Sequence, residues 1–398
     1  MGEEMKNQNN YFTDLQGALK ENVRQYGMFI ALAAIFLIFA LLSDGLFISP
    51  RNLANLLDQT GYIAVLAVGM TLIIVIRHID LSVGFVAGFI GAVAAILMTQ
   101  FNVPVPIAII AVLGLGIVIG LWNGFLVAFM GLPAFVATLA GMLIFRGLLL
   151  LVTQGSGTII IPSEAFNALS NGFIPDIVHI KGIHVISLII GFLAIVFYIN
   201  SEFKTRKNKQ RYNFKVLSMG VFATKLVFVT IIILVITLVL ATYQGISWTV
   251  VIMVVTTAIY HIITNKTVLG RHIYAVGGNA EAAELSGINV KKITMLVFAS
   301  MGLLAALAGI LFAARLRSAT VTAGTLFELD AIAAAYVGGT SASGGVGKVT
   351  GSVVGALVMA SLSSGMNLIG LGISLQYIVR GAVLISAVIF DIRTRGKK

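Results

Sequence analysis

Apolar runs approaching the length of a membrane crossing recur along the whole chain, and that recurrence constrains the fold more than any motif. A helix that spans a bilayer needs roughly 20 mainly apolar residues. The first half offers such runs at 26–43, 61–76, 82–99, 106–129, 135–152 and 183–199. The second half adds 225–240, 246–263, 293–314, 330–338, 349–365 and 374–389. The run at 330–338 is too short to cross alone, and reads as a half-helix or as part of a longer span with polar ends. In hydrocarbon every backbone N–H and C=O must be satisfied inside the protein, which leaves helices and closed barrels as spanning structures. Long continuous runs select the helix. The expected fold is an all-α membrane protein, a polytopic bundle of about ten to twelve transmembrane helices.

Composition supports this reading. The chain is 59% hydrophobic and 10% charged, whereas soluble domains are about 25% charged. The 42 glycines follow no period of three and suit close helix–helix packing in lipid. The absence of cysteine excludes disulfides, thiolate catalysis and thiolate metal sites. The first 25 residues are polar and mixed in charge, so no cleavable signal peptide is expected.

Charge sets an expected orientation. Cytoplasmic loops collect Lys and Arg. With the N-terminus inside and every run crossing, 20 of the 26 basic residues fall inside. Arg51, Lys181, Arg315 and Arg317 fall outside, and Arg146 and Arg380 fall within spans. Both termini are therefore expected in the cytoplasm. The net charge of +11 does not point to nucleic acid, because the basic residues sit between apolar runs rather than along one solvated face.

The expected organisation is a cytoplasmic segment at 1–25, a transmembrane domain at 26–392 and a basic cytoplasmic tail at 393–398. Three loops stand out. The outer loop at 154–182 is long enough to meet a partner. The basic cytoplasmic insertion at 201–224 reads as an anchor to anionic membrane lipid, at roughly 1 kcal/mol per basic residue near the surface. The cytoplasmic loop at 264–292 carries its own short helix: Asn279 is placed to cap it, Glu281 and Glu284 lie in its first turns, and Gly287 stops it. A plain connector needs only a handful of residues. A capped helix here reads as a docking element, or as a surface helix with no partner.

Ionisable and polar residues near membrane depth are the other candidates. Asp80 lies beside Arg77 and His78 at the end of a run, either as a local charge pair or as a gate contact. Arg146 and Arg380 are expected to snorkel or to pair internally. Glu328 and Asp330 precede a glycine-rich break and are expected to line an outer vestibule. Thr71, Ser82, Gly84, Asn123, Thr138 and Thr340 are candidates for a weakly polar path. None of the 15 acids is expected clearly at mid-span, which counts against a proton-coupled carrier. The five histidines show no metal-ligand spacing and no nucleophile–base motif, so an enzyme is not expected. The stretch from Ala342 to Val349 imitates a phosphate-binding loop but lacks its first glycine and its final hydroxyl. A short echo links Ser82–Gly88 with Gly345–Gly351, each opening a small-residue helix.

The stretch from Gly270 to Val290, with Glu328–Ala334, Gly338–Ser341, Gly344–Gly347, Gly69–Thr71 and Ile79–Gly84, resembles the permeases of bacterial ABC importers of the ribose, galactose, arabinose and xylose group. The likeness runs through nearly the whole chain, and its length and basic insertion are most similar to the xylose type. Ala342-Ser343 and Tyr336 depart from the usual pattern. The resemblance implies a type II ABC-importer-like permease of the bacterial inner membrane, translocating a monosaccharide, D-xylose first. It implies a homodimeric or pseudo-dimeric membrane core, a cytoplasmic ATPase and an extracytoplasmic sugar-binding protein. It also implies that ATP and Mg are bound by the ATPase and that no cofactor is held by this chain. Arg271, Gly277, Gly278, Asn279, Glu281, Ala282, Ala283, Leu285 and Gly287 would then form the ATPase-coupling loop. The small pair Ala282-Ala283 suits the close approach of a partner groove.

Overall fold

The computed structural model describes residues 23–395 except 155, 156, 178, 181 and 215. Most of the expected N-terminal segment and the last three residues of the expected tail lie outside the described residues. In chain order the elements begin with α1 (Val23–Leu42), α2 (Pro50–Val75), α3 (Val83–Thr99), α4 (Val105–Ala128) and α5 (Ala134–Thr153). Then come β1 (Thr158–Ile160), α6 (Glu164–Asn171), β2 (His179–Ile180), β3 (Ile183–His184), α7 (Val185–Arg211) and α8 (Met219–Ala241). The chain continues through α9 (Trp248–Lys266), α10 (Val268–Gly278), α11 (Ala280–Leu285) and α12 (Val290–Leu316). It finishes with β4 (Ser318–Thr320), α13 (Phe327–Val337), α14 (Val349–Leu368) and α15 (Ile373–Arg395). Helices α2, α4, α5, α7, α8, α9, α12 and α14 are long and apolar enough to cross a membrane, with shorter apolar stretches at Gly27–Leu42, Val83–Thr99 and Ile373–Ile389. The polytopic all-α architecture expected from the apolar runs is present.

The chain divides into two compact units. Among the described residues, one contains 173–246 with 49–54 and 23–27. Its body is the antiparallel pair α7–α8, closed at one end by the β2–β3 hairpin, with His179 opposite His184. Glycine lets the two helices touch: a Cβ on Gly191 would overlap Thr237. The basic insertion proves largely helical. α7 continues to Arg211 and α8 begins at Met219, joined by a Glu202–Lys225 ion pair of 2.7 Å and the Arg206 guanidinium 4.8 Å over Phe222. Phe197, Phe228 and Val235 project from this pair, as lipid-facing residues do.

The other unit contains, of the described residues, those in 28–48, 55–172 and 247–395. Its centre is α12, buried along most of its length, crossed antiparallel by α4. Gly116, Gly120 and Gly124 of α4 meet Gly302, Phe298 and Met295 of α12 so closely that backbone lies against backbone. On another side Gly91 of α3 meets Gly309 of α12, its would-be Cβ 3.1 Å from the carbonyl oxygen. This is the small-residue packing expected of helices that associate without a hydrophobic drive.

Between α12 and α14 the chain returns in two parts. Arg317 leaves α12 in the left-handed region at φ 53°, and β4 pairs antiparallel with β1, Thr158 opposite Thr320. A run of turns at 321–326 then packs against α3: Cβ atoms on Gly84 and Gly88 would overlap the carbonyls of Gly324 and Ala323. Leu326, at φ 66°, turns the chain into α13. By Gly345 the chain has reached the last residue of α2, donating its N–H to the Val75 carbonyl at 2.9 Å. The short run at 330–338 is therefore the helical half of a broken span. Such backbone is tolerated at membrane depth where protein buries it. The echoed segments flank this element: Gly84 and Gly88 pack at its start, Gly351 and Gly355 on Gly338 and Ala334 at its end.

Two expected boundaries differ. α2 begins at Pro50, well before the run at 61, because Asp58 is buried and partnered rather than solvated. It accepts a hydrogen bond from Ser247 and lies 3.9 Å from Arg315. The loop expected at 264–292 contains two helices, not one, with α10 preceding the expected capped helix. The loop at 154–182, expected outside, supplies β1 and α6. Asn171 at the end of α6 donates to the Ala314 carbonyl at 2.6 Å, tying it to α12.

Candidate functional site

The α10–α11 element is built by local capping. Thr267 accepts from the Gly270 N–H at 3.1 Å to open α10. Asn279 accepts from the Ala282 N–H at 3.0 Å to open α11, as its position suggests. Gly287 ends α11 at φ 83°, a conformation that favours glycine. Glu281, Ala282 and Glu284 are exposed and Leu285 is 90% exposed, while Ala283 is buried against the body. A capped six-residue helix with a bare leucine presents an apolar contact surrounded by acids. Arg271 is exposed on α10.

Gly277 and Gly278 do more than link the two helices. A Cβ on Gly277 would overlap the Val75 carbonyl and stand 2.9 Å from the Gly345 nitrogen. Arg77, which follows α2 at φ 65°, donates from Nε to the Gly277 carbonyl at 2.8 Å and from Nη2 to the Gly278 carbonyl at 2.5 Å. The Tyr274 hydroxyl donates to the Gly347 carbonyl at 2.6 Å. Three distant segments thus meet at one point: the end of α2, the end of α10 and the glycine-rich loop before α14. Several backbone amides in and beside that loop are tied to the protein itself. Ser341 N–H donates to Val346, Gly344 N–H to Ser341 and Gly345 N–H to Val75.

The pathway candidates form separate clusters. Asp80, in the turn between α2 and α3, accepts from the Ser82 N–H at 2.9 Å and hydroxyl at 2.6 Å. Asn123 donates to Ser82 Oγ at 3.0 Å, and Thr138 donates to the neighbouring Ile79 carbonyl at 3.3 Å. All four side chains are buried. Burial raises the Asp80 carboxyl from 3.8 to about 6, against the pull of the two Ser82 hydrogen bonds. The expected local pair between Asp80 and Arg77 does not form; Arg77 reaches α10 instead. Thr71 shares a 2.5 Å hydrogen bond with Ser352, joining α2 to α14. Thr340 is buried in the loop before α14, its hydroxyl without a partner among the described residues, as is Oδ1 of Asn123.

Glu328 is buried, with Oε2 unpartnered among the described residues and lying over Gly84, where a Cβ would overlap it. Asp330 faces Arg380, which stands 3.4 Å away and donates from Nη2 to Ser363 Oγ at 2.7 Å. Internal pairing is thus the fate of Arg380, and Arg146 lies 5.6 Å over the Phe85 ring. Three acids therefore sit within crossing elements, Asp58, Glu328 and Asp330, where the apolar runs alone had placed none clearly at mid-span. Asp58 and Asp330 have cationic neighbours. The polar partners Ser247, Arg315, Ser352 and Tyr274 were invisible in sequence because each comes from a remote element. Among the described residues no group of three His, Cys, Asp or Glu side chains is placed to hold a metal ion.

Comparison with known proteins places this geometry in context. A family described as "Branched-chain amino acid transport system / permease component" matches residues 52–388. The Xylose transport system permease protein of Haemophilus influenzae is 39% identical over 376 residues, covering 94% of this chain and 98% of the relative. The protein of the same name in Escherichia coli K12 is 39% identical over 374 residues, covering 94% and 93%. The Ribose import permease protein of Escherichia coli K12 is 36% identical over 362 residues, covering 91% and 92%. No solved structure matches the chain significantly.

Proposed function

Because the chain belongs to the family of branched-chain amino acid transport system permease components, we propose that it is the membrane subunit of a binding-protein-dependent ATP-driven importer, carrying a monosaccharide. D-xylose is the first choice, ahead of ribose, arabinose, galactose and glucose. The family description alone would suggest an amino acid, but the relatives that align over more than nine-tenths of the chain are named for xylose and ribose.

The observation that carries the ATP-driven reading is α11. A short capped helix with Leu285 and its acids turned outward suits a groove on a separate cytoplasmic ATPase, which would hold ATP and Mg. The α10–α11 end of the bundle is then cytoplasmic, in line with the basic residues Lys266, Arg271, Lys291 and Lys292 near it, and the membrane is the bacterial inner membrane. An extracytoplasmic sugar-binding protein would deliver the solute to the opposite end, and a second copy of the chain would complete the path. The lysines and arginines at the far end of α7 would rest on anionic lipid. Sugar is neutral and rich in hydroxyls, so a path with weak polar contacts suffices, and tight binding would slow release. To lining or gating it we assign the Asp80–Ser82–Asn123 cluster, Gly84, Glu328, Asp330 and Thr340.

The test uses Glu281→Lys and Gly287→Arg. The first reverses charge on the exposed face of α11; the second forces a bulky residue into a left-handed turn. Both variants are expected to insert normally, to lose the ATPase in copurification and to abolish sugar uptake. Normal uptake in both removes α11 from the transport mechanism.

A further inference from the structure

Docking of α11 on an ATPase does not by itself explain how motion reaches the path, since α11 touches the body mainly through Ala283 and the following segment. The contact of α10 with the rest of the bundle is of another kind. Its last two carbonyls, Gly277 and Gly278, have no further turn of helix to accept from. They carry the negative end of the helix dipole, and the Arg77 guanidinium forks onto both, at 2.8 and 2.5 Å. Only arginine offers two such donors in one rigid plane. Gly277 and Gly344 permit this close approach: a Cβ on Gly277 would overlap the Val75 carbonyl, and one on Gly344 would strike the Arg77 side chain and stand 2.9 Å from the Gly277 carbonyl oxygen. On the other flank Tyr274 reaches the Gly347 carbonyl, and Gly345 returns its N–H to Val75.

We propose that Arg77 and Tyr274 are the coupling clasp of the transporter, the positioning residues that deliver displacement of α10–α11 to the end of α2 and to the loop that joins the broken span to α14. Each of the two moved segments leads directly to a polar cluster. Arg77 is followed by Asp80 and Ser82; Gly345–Gly347 lie between Thr340 and Ser352, and Ser352 holds Thr71. A shift of α10 would therefore change both polar clusters at once. This inference rests on the importer reading above.

The experiment reconstitutes the complete complex, permease with its ATPase, in proteoliposomes with the sugar-binding protein. It measures labelled D-xylose uptake and stimulated ATP hydrolysis in parallel, with copurification of the ATPase as the check on assembly. Tyr274→Phe removes one hydroxyl; Arg77→Lys keeps the charge and loses the fork. Expected in both is wild-type copurification with a fall of about tenfold in sugar moved per ATP hydrolysed, the scale of losing one charge-assisted or buried hydrogen bond. If only Tyr274→Phe assembles, it carries the test alone. An unchanged sugar-to-ATP ratio in assembled variants, including a parallel fall of both activities, overturns the clasp. A wild-type complex that neither takes up sugar nor hydrolyses ATP in response to it overturns the importer reading instead.

Discussion

The contact between α4 and α12 permits a test worked from geometry. In Gly120→Ala the new Cβ would overlap the Phe298 carbonyl oxygen and stand 2.9 Å from the Ala299 Cα. Both are backbone atoms of α12, so no side chain can swing aside. Carbon–carbon contacts relax to about 3.5–4.0 Å, which requires α4 and α12 to part by at least about half an ångström. Overpacking of this kind costs about 1–3 kcal/mol. Gly114 lies on the same helix with no atom within 4 Å of its would-be Cβ, so Gly114→Ala is the control. Both substitutions gain the same helix preference, about 0.5–1 kcal/mol for alanine over glycine. The difference between them isolates the packing. Thermal denaturation of the purified protein in one detergent is expected to show Gly114→Ala at or above wild type and Gly120→Ala below it by several degrees. Gly302→Ala, the reciprocal change, is expected to match Gly120→Ala. Equal stability of Gly114→Ala and Gly120→Ala would refute the claim that close backbone contact holds this pair.

Two further predictions concern charge. Asp330→Ala leaves Arg380 without its carboxylate and is expected to cost about 1.5–3 kcal/mol, seen as lower thermal stability in detergent. Arg380→Leu added to it should recover most of the loss, and a double variant no better than the single would mean the pair is not the cause. Burial that lifts the Asp80 carboxyl from 3.8 to about 6 makes the folded state bind the proton more tightly than the unfolded chain. Stability contributed by this group therefore falls as pH rises between those values, and Asp80→Asn is expected to flatten that part of the stability profile. A profile unchanged by the substitution would show that Asp80 does not titrate there.

The helical spans were legible because hydropathy is a property of consecutive residues. Val83–Thr99 and Val349–Leu368 start within a residue of the expected runs. The cap at Asn279 and the stop at Gly287 were legible for the same local reason. What sequence concealed were elements whose polar groups are satisfied from afar. α2 looks shorter than it is because Asp58 finds Ser247 and Arg315 across the bundle. The broken span was half-visible: 330–338 is apolar, but its non-helical half is a run of turns held by Gly84 and Gly88 of another helix. α10 was not legible as a helix because three of its eleven residues are glycine, and one of them, Gly277, serves close contact with Val75 and Gly345. The Arg77 fork could not be read at all, since its nearest acid in sequence, Asp80, was the more obvious partner.

The central claim is that this chain carries a sugar inward at the expense of ATP hydrolysed by another subunit. The direct measurement is uptake of labelled D-xylose in cells lacking the gene, with ribose, arabinose, galactose and glucose as unlabelled competitors. High-affinity xylose uptake should be lost, and restored by the gene only when its ATPase is also present. Loss of another sugar's uptake in place of xylose would correct the substrate and keep the importer. Uptake that is restored without the ATPase and collapses with an uncoupler would contradict the account.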